Sequence, residues 1–324
     1  MIRTTAGPVP PDAIRGTVLA HEHLAIDLRR GSDTAATLGD EDLLVAELAA
    51  ARREHGLALV VELTCRGMGG DPVRVDRIAR AAGVHAVTST GYYYQAFHPE
   101  DLAEREVADL AGSLVAEIRG DGGPGIRPGV LGEIGSHGPE PTPAERVSLL
   151  AAGHAAAATG LSVATHAHLG VGGMGQLELL ASTGLPPDRV SVGHQDLCAD
   201  GGQHRAIADA GGYVAFDTVG KESYQSDDVR LALLLDLLEA GHADRVLLSN
   251  DVSRDAYLRA HGGLGYAHVL GTFADRLRAA GVDEPTLRLL YHDNPLRFLA
   301  GGAGTGVDGA DGTGPAARAD EEDR

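Results

Sequence analysis

A chain of 324 residues with 43% hydrophobic composition can bury a sizeable core, and α/β barrels often reach this size as one domain. Its net charge of −19 argues against a nucleic-acid groove, which needs a basic surface. No apolar run approaches the ~20 residues of a membrane helix. No basic-then-apolar leader opens the sequence, and Cys65 and Cys198 form neither a disulfide framework nor a CxxC pattern, so the expectation is a reduced, cytoplasmic setting.

In chain order, short apolar runs alternate with longer amphipathic stretches. The strand candidates are 17–20, 58–63, 85–90, 129–134, 162–166, 190–194, 213–217 and 246–251. Apolar residues recur at helical spacing over 40–54, 72–82, 100–119, 143–159, 175–183, 201–210, 227–240 and 266–280. Asp40, and Thr142-Pro143 with Glu145 close behind, read as helix starts. Eight strands, each followed by a helix, predict a (β/α)8 barrel. A doubly wound open sheet would carry a Gly-rich phosphate turn after its first strand, where this chain has His21-Glu22-His23. The barrel is expected to occupy residues 1–300. The Gly-, Ala- and Asp-rich stretch 301–324 holds almost no large apolar residue and reads as a disordered tail.

Such barrels carry their chemistry at the C-terminal ends of the strands. There the first strand ends in His21 and His23, whose spacing of two puts them on one face with Glu22 opposite. The fourth ends near Glu133, the fifth in His166, the sixth in His194 and the eighth in Asp251. Four imidazoles and two carboxylates at one rim, with no competing cysteine, suit zinc, manganese, cobalt or iron. His55, His85, His154, His204, His242 and His292 fall on helices, connections or strand starts and read as surface or packing residues; His168 stays open.

The series His21-Glu22-His23, Gly132-Glu133-Ile134-Gly135, Thr165-His166, Gly193-His194 and Asp251, with Asn294-Pro295, resembles the phosphotriesterase family of amidohydrolase-type barrels. So do Thr90-Gly91-Tyr92-Tyr93, 216–221 and 262–266. The resemblance spans roughly residues 14 to 300 and is nearest the bacterial phosphotriesterase homology branch and the phosphotriesterase-like lactonases. It implies two divalent ions, most simply zinc, one held by His21, His23 and Asp251 and the other by His166 and His194. Many members bridge the ions with a carboxylated lysine from the fourth strand. The only lysine here, Lys221, lies far along the chain after the seventh strand, and Glu133 stands at the bridging position, as in one branch of the family.

A water between two cations becomes hydroxide near neutral pH and attacks a carbonyl or phosphoryl centre. Asp251 is then placed to take the proton and pass it to the leaving group. The expectation is a metal-dependent hydrolase that opens a lactone or related ester. Alternatives are cleavage of N-acyl amino acids or similar amides, phosphoester or phosphotriester hydrolysis and, least, a barrel that binds without turnover. Tyr93 matches a tyrosine lining the lactone pocket of similar enzymes. Lys221, Arg254, Tyr257 and Tyr266 would form a wall for an anionic substrate such as a sugar lactone, although Gly70 stands where many relatives carry arginine. Analogy alone suggests a homodimer.

Overall fold

Each predicted apolar run becomes a parallel strand, and the amphipathic stretches become the helices that cover them. The computed structural model describes residues 1–30, 33–123 and 125–301. A hairpin of β1 (Ile2–Thr4) and β2 (Gly7–Val9) precedes the barrel. The barrel strands are β3 (Thr17–Glu22), β4 (Leu57–Glu62), β5 (His85–Val87) continued as β6 (Ser89–Thr90), β7 (Val130–Ser136), β8 (Val163–Ala167), β9 (Val190–Val192), β10 (Tyr213–Phe216) and β11 (Val246–Leu248). Between them run α1 (Glu41–His55), α2 (Pro72–Ala82), α3 (Val107–Arg119), α4 (Pro143–Thr159), α5 (Gly173–Ala181), α6 (Gly201–Asp209) and α7 (Asp227–Glu239). The N-terminal signals act as read. The Asp40 carboxylate accepts from Leu43 N–H, and Thr142 with Glu145 closes a capping box.

The ladders run β3-β4-β5 and β6-β7-β8-β9-β10-β11, all parallel. The ring is a (β/α)8 barrel. No backbone ladder joins β11 to β3 among the described residues; that seam is closed at its upper end by loop and side-chain contacts described below. Inside the ring, Val18, Ala20, Leu59, Val61, Val130 and Leu247 form one apolar cluster. Leu19, Val60, Leu131 and Val163 face the other way, into the layer shared with helix residues such as Leu44 and Leu48. After β11 the chain continues through α8 (Ala274–Ala279), α9 (Glu284–Arg288) and α10 (Asn294–Ala300). Leu296, Phe298 and Leu299 of α10 seal the floor of the barrel, Phe298 edge-on to Tyr213 at 5.6 Å between ring centroids.

Two helical expectations change. Residues 100–119 are not one helix. A 3-10 turn at Leu102–Glu104 buries Leu102 against Tyr92 and Leu110, and extended backbone at Arg105 and Glu106 delays α3 to Val107. Residues 266–280 open with a π-helical turn, Val269–Phe273, before α8. The stretch predicted to be a disordered tail lies, apart from Gly301, outside the described residues. No helix among the described residues is long and apolar enough to cross a membrane.

Candidate active site and metal centre

Strict alternation along β3 would send His21 outward with Leu19. A register shift between Leu19 and Glu22 re-aims the strand, and a second shift, between Leu131 and Ile134, brackets Glu133. Both irregularities turn a side chain into the barrel mouth. The neighbouring glycines permit close strand approach there. A Cβ on Gly135 would stand 1.9 Å from the carbonyl oxygen of His166, and one on Gly193 would stand 2.0 Å from that of Thr165. Among the described residues only Leu169, His194 and Asp251 combine a side chain larger than glycine's with left-handed backbone. Two of these three were read from sequence as ligands, and such conformations cost about 1–3 kcal/mol each.

All six residues expected to hold metal converge. His21, His23 and Asp251 bring one donor atom each within 4.8 Å of one another, and so do Glu133, His166 and His194. Glu133 lies between the groups. Its Oε1 is 3.4 Å from His23 Nε2; its Oε2 is 3.0 Å from His166 Nδ1, 3.4 Å from His194 Nε2 and 3.7 Å from His21 Nε2. Asp251 Oδ1 is 3.2 Å from His23 Nε2 and 4.0 Å from His21 Nε2.

The imidazoles are oriented from behind. Nδ1 of His21 donates to Asp217 Oδ2 at 2.7 Å, and Nδ1 of His194 donates to Asp217 Oδ1 at 2.9 Å. His23 Nδ1 donates to Thr64 Oγ1 at 2.9 Å, and that hydroxyl donates in turn to Glu62. In the neutral rings these bonds fix the hydrogen on Nδ1 and aim the Nε2 lone pair into the mouth. Nε2 of His21 is buried without a hydrogen-bond partner among the described residues. A donor set of imidazoles and carboxylates with an orphaned, inward-facing nitrogen fits a divalent cation.

The electrostatics agree. Burial pushes the Glu133 carboxyl up, but His21, His166 and His194 outweigh it and hold the group well below the usual carboxylate range. Burial likewise opposes ionisation of Asp251, which Lys221 and then His23 and His21 reverse. His23 is pushed up to about 9 and His194 to about 10, because nearby carboxylates overcome the burial that would lower them. The mouth therefore retains positive charge, as protons or as a cation.

A cavity of about 240 Å³ opens above the cluster. Tyr93 lines it, its hydroxyl oxygen 3.3 Å from His166 Nδ1. Ile26, Leu28, Ala36 and Phe97 give one apolar wall, and Lys221, Ser253, Arg254 and Tyr257 give a polar one. Two cations lie over the ring of Tyr257, Lys221 Nζ at 5.0 Å and the Arg254 guanidinium at 5.5 Å from its centroid.

Lys221 stands at the rim as expected, and its ammonium also engages Asp251 Oδ2. One reading needs correction. Tyr266 does not line the cavity. It is 0% exposed, and its O–H donates to the carbonyl of His23 at 2.7 Å, supporting a ligand from behind. His168 reaches the cavity but joins none of the ligand groups; its ring stacks on His137 at 3.9 Å. The Cys65 thiol is buried and pushed well up by that burial, in keeping with an unreactive cysteine.

Sequence reasoning missed Asp217, although a carboxylate at the end of the seventh strand followed the same signal as the ligands. It also gave no task to Glu22, Glu62 or Thr64.

Residues 1–299 match the model of the phosphotriesterase family. The chain is 37% identical over 285 residues to the phosphotriesterase homology protein of Escherichia coli (strain K12), covering 88% of this chain and 98% of that one. It is 27% identical over 341 residues to the N-acetyltaurine hydrolase of Salmo salar, covering 92% and 97%. A substituted Deinococcus radiodurans PTE-like lactonase superposes with a TM-score of 0.80 at 29% identity, covering 92% of this chain and all of that one.

Proposed function

The chain belongs to the phosphotriesterase family of metal-dependent hydrolases, and from that premise we propose that it holds two divalent cations and opens a lactone or related carboxylic ester in a small anionic substrate. The observation that carries this reading is Glu133, whose two oxygens face His23 on one side and His166 with His194 on the other. His21, His23 and Asp251 would hold one ion, and His166 and His194 the other, with Glu133 shared. The imidazole and carboxylate donors make zinc the first candidate. When bound, such ions lower the pKa of a shared water towards neutrality and polarise the substrate carbonyl.

The remaining tasks fall to side chains. Asp251, kept ionised by Lys221, accepts the proton released as the nucleophile forms and returns it to the leaving group. Its Oδ1 faces the cluster while Oδ2 is tied to the ammonium. The Tyr93 hydroxyl, buried beside His166, orients the acyl group. Arg254 receives the anionic end. Its Nε is buried without a hydrogen-bond partner among the described residues, and its guanidinium stacks on Tyr257.

The name of the Salmo salar relative, N-acetyltaurine hydrolase, favours a second reading. The same residues could cleave the amide of an N-acyl amino acid or aminosulfonate, with Asp251 protonating a nitrogen leaving group.

The test pairs metal analysis of the purified chain with rates on a panel of neutral lactones, carboxylated lactones and N-acyl amino acids and aminosulfonates. About two ions per chain, with the highest kcat/KM on an anionic lactone, is expected; preference for the amides selects the second reading. One ion or none removes the shared role of Glu133. Asp251→Asn is expected to lower kcat by about 10²–10⁴-fold; turnover that survives with metal bound refutes the proton transfer.

A further inference from the structure

Glu22 separates two proposed ligands, points away from both and is 0% exposed. Its carboxylate accepts four hydrogen bonds, all from the loop after β11. Oε1 takes Ser249 Oγ at 2.8 Å, Asn250 N at 2.9 Å and Asn250 Nδ2 at 3.0 Å, and Oε2 takes Val252 N at 2.8 Å. Both residues flanking Asp251 are thus held by one side chain, while Asp251 N itself donates to the carbonyl of His21 at 3.3 Å. Ser249 Oγ also accepts from His21 N at 3.0 Å. Asp251 stands in left-handed backbone at φ +51, a conformation that persists only where the surroundings enforce it.

We propose that Glu22 is the positioning residue of the ion assigned to His21, His23 and Asp251: one tripeptide supplies two ligands from one face and, from the other, the clamp that sets the third. This inference rests on the two-ion reading. A carboxylate presents acceptors to all four donors. The amide of glutamine has the same shape but would set an N–H against either the three donors at Oε1 or the amide of Val252. Glu22→Gln therefore loosens Asp251 without touching Glu133, His166 or His194.

The experiment strips metal from the parent and from Glu22→Gln and titrates each with Co²⁺, followed by visible absorption against a competing chelator. The parent is expected to take two ions. The variant is expected to keep one at the parent's affinity and bind the other about 10–100-fold more weakly. Two ions at undiminished affinity, or equal weakening of both, overturns the proposal, the latter because it marks general loosening. If the parent takes fewer than two ions the two-ion reading itself fails, and hydrogen exchange of the metal-free proteins then decides on Glu22. Amides of 249–252 should exchange at least about tenfold faster in the variant, with those of 163–166 unchanged; unchanged exchange at 249–252 refutes the clamp. Should Glu22→Gln not fold, Ser249→Ala removes one donor and keeps the carboxylate. It is expected to give the same pattern at smaller amplitude, and parent-like affinity and exchange there overturn the proposal.

Discussion

At the floor of the barrel Val18, Ala20, Leu59, Val130 and Leu247 meet Leu296 and Phe298 with no charge among them. At the other end of the same strands the mouth buries four imidazoles, the carboxylates of Glu133, Asp217 and Asp251, and the Lys221 ammonium. The floor gains stability from each apolar surface it hides, at about 25 cal/mol per Å². Each ionic group in the mouth loses hydration, offset only by its partners, and His194 and Asp251 add left-handed backbone. The two ends share strands but divide labour. Stability should be sensitive at the floor and activity at the mouth.

The widest separation is expected from Glu133→Ala. Removing the carboxylate that faces both groups should drop bound metal from two ions to one or fewer and kcat/KM by on the order of 10⁴-fold. Elemental analysis and steady-state kinetics would check it, and full metal content would place the shared ligand elsewhere. At the floor, Phe298→Ala should destabilise by about 3–5 kcal/mol in denaturant melts. Its kcat/KM per folded molecule should stay within about twofold; a large kinetic loss would mean the ends are coupled. Arg254→Ala should raise KM for anionic substrates by about tenfold and leave a neutral lactone nearly unchanged, a loss of about 1.4 kcal/mol.

A further effect is in pH. In metal-free protein His23 and His194 sit at about 9 and about 10, above the ordinary 6.5. Raised folded-state values contribute stability that is complete below pH 6.5 and disappears as pH rises through 9–10. Tm of the metal-free protein should therefore fall as pH rises from 7 to 10. With cations in place of the protons, calorimetry should find that decline largely gone.

Both ends differ also in how much their sequence discloses. Eight apolar runs spaced by amphipathic stretches allow little but the barrel, and His21, His23, Glu133, His166, His194 and Asp251 were legible because residue type and strand-end position coincided. What lay hidden depends on contacts across the ring. Asp217 orients two imidazoles from strands that are remote in sequence, and the register shifts beside His21 and Glu133 leave no compositional trace. Tyr266 shows the same limit. A tyrosine near the rim can face the cavity or a buried partner, and only packing distinguishes them. The floor was the less legible end. α10 and the hairpin of β1 and β2 are too short to announce themselves by periodicity, yet Leu296, Phe298 and Ile2 complete the apolar plug.

The seam between β3 and β11 gives the molecule an order of assembly. His21 and His23 leave the ribosome early, but Asp251 follows after nearly all the barrel has been made, and Leu296 and Phe298 follow later still. The group of His21, His23 and Asp251 therefore comes together only when the ring closes, whereas Glu133, His166 and His194 are all made before β11. An ion held by the first group, as proposed above, would thus be captured only by the completed ring.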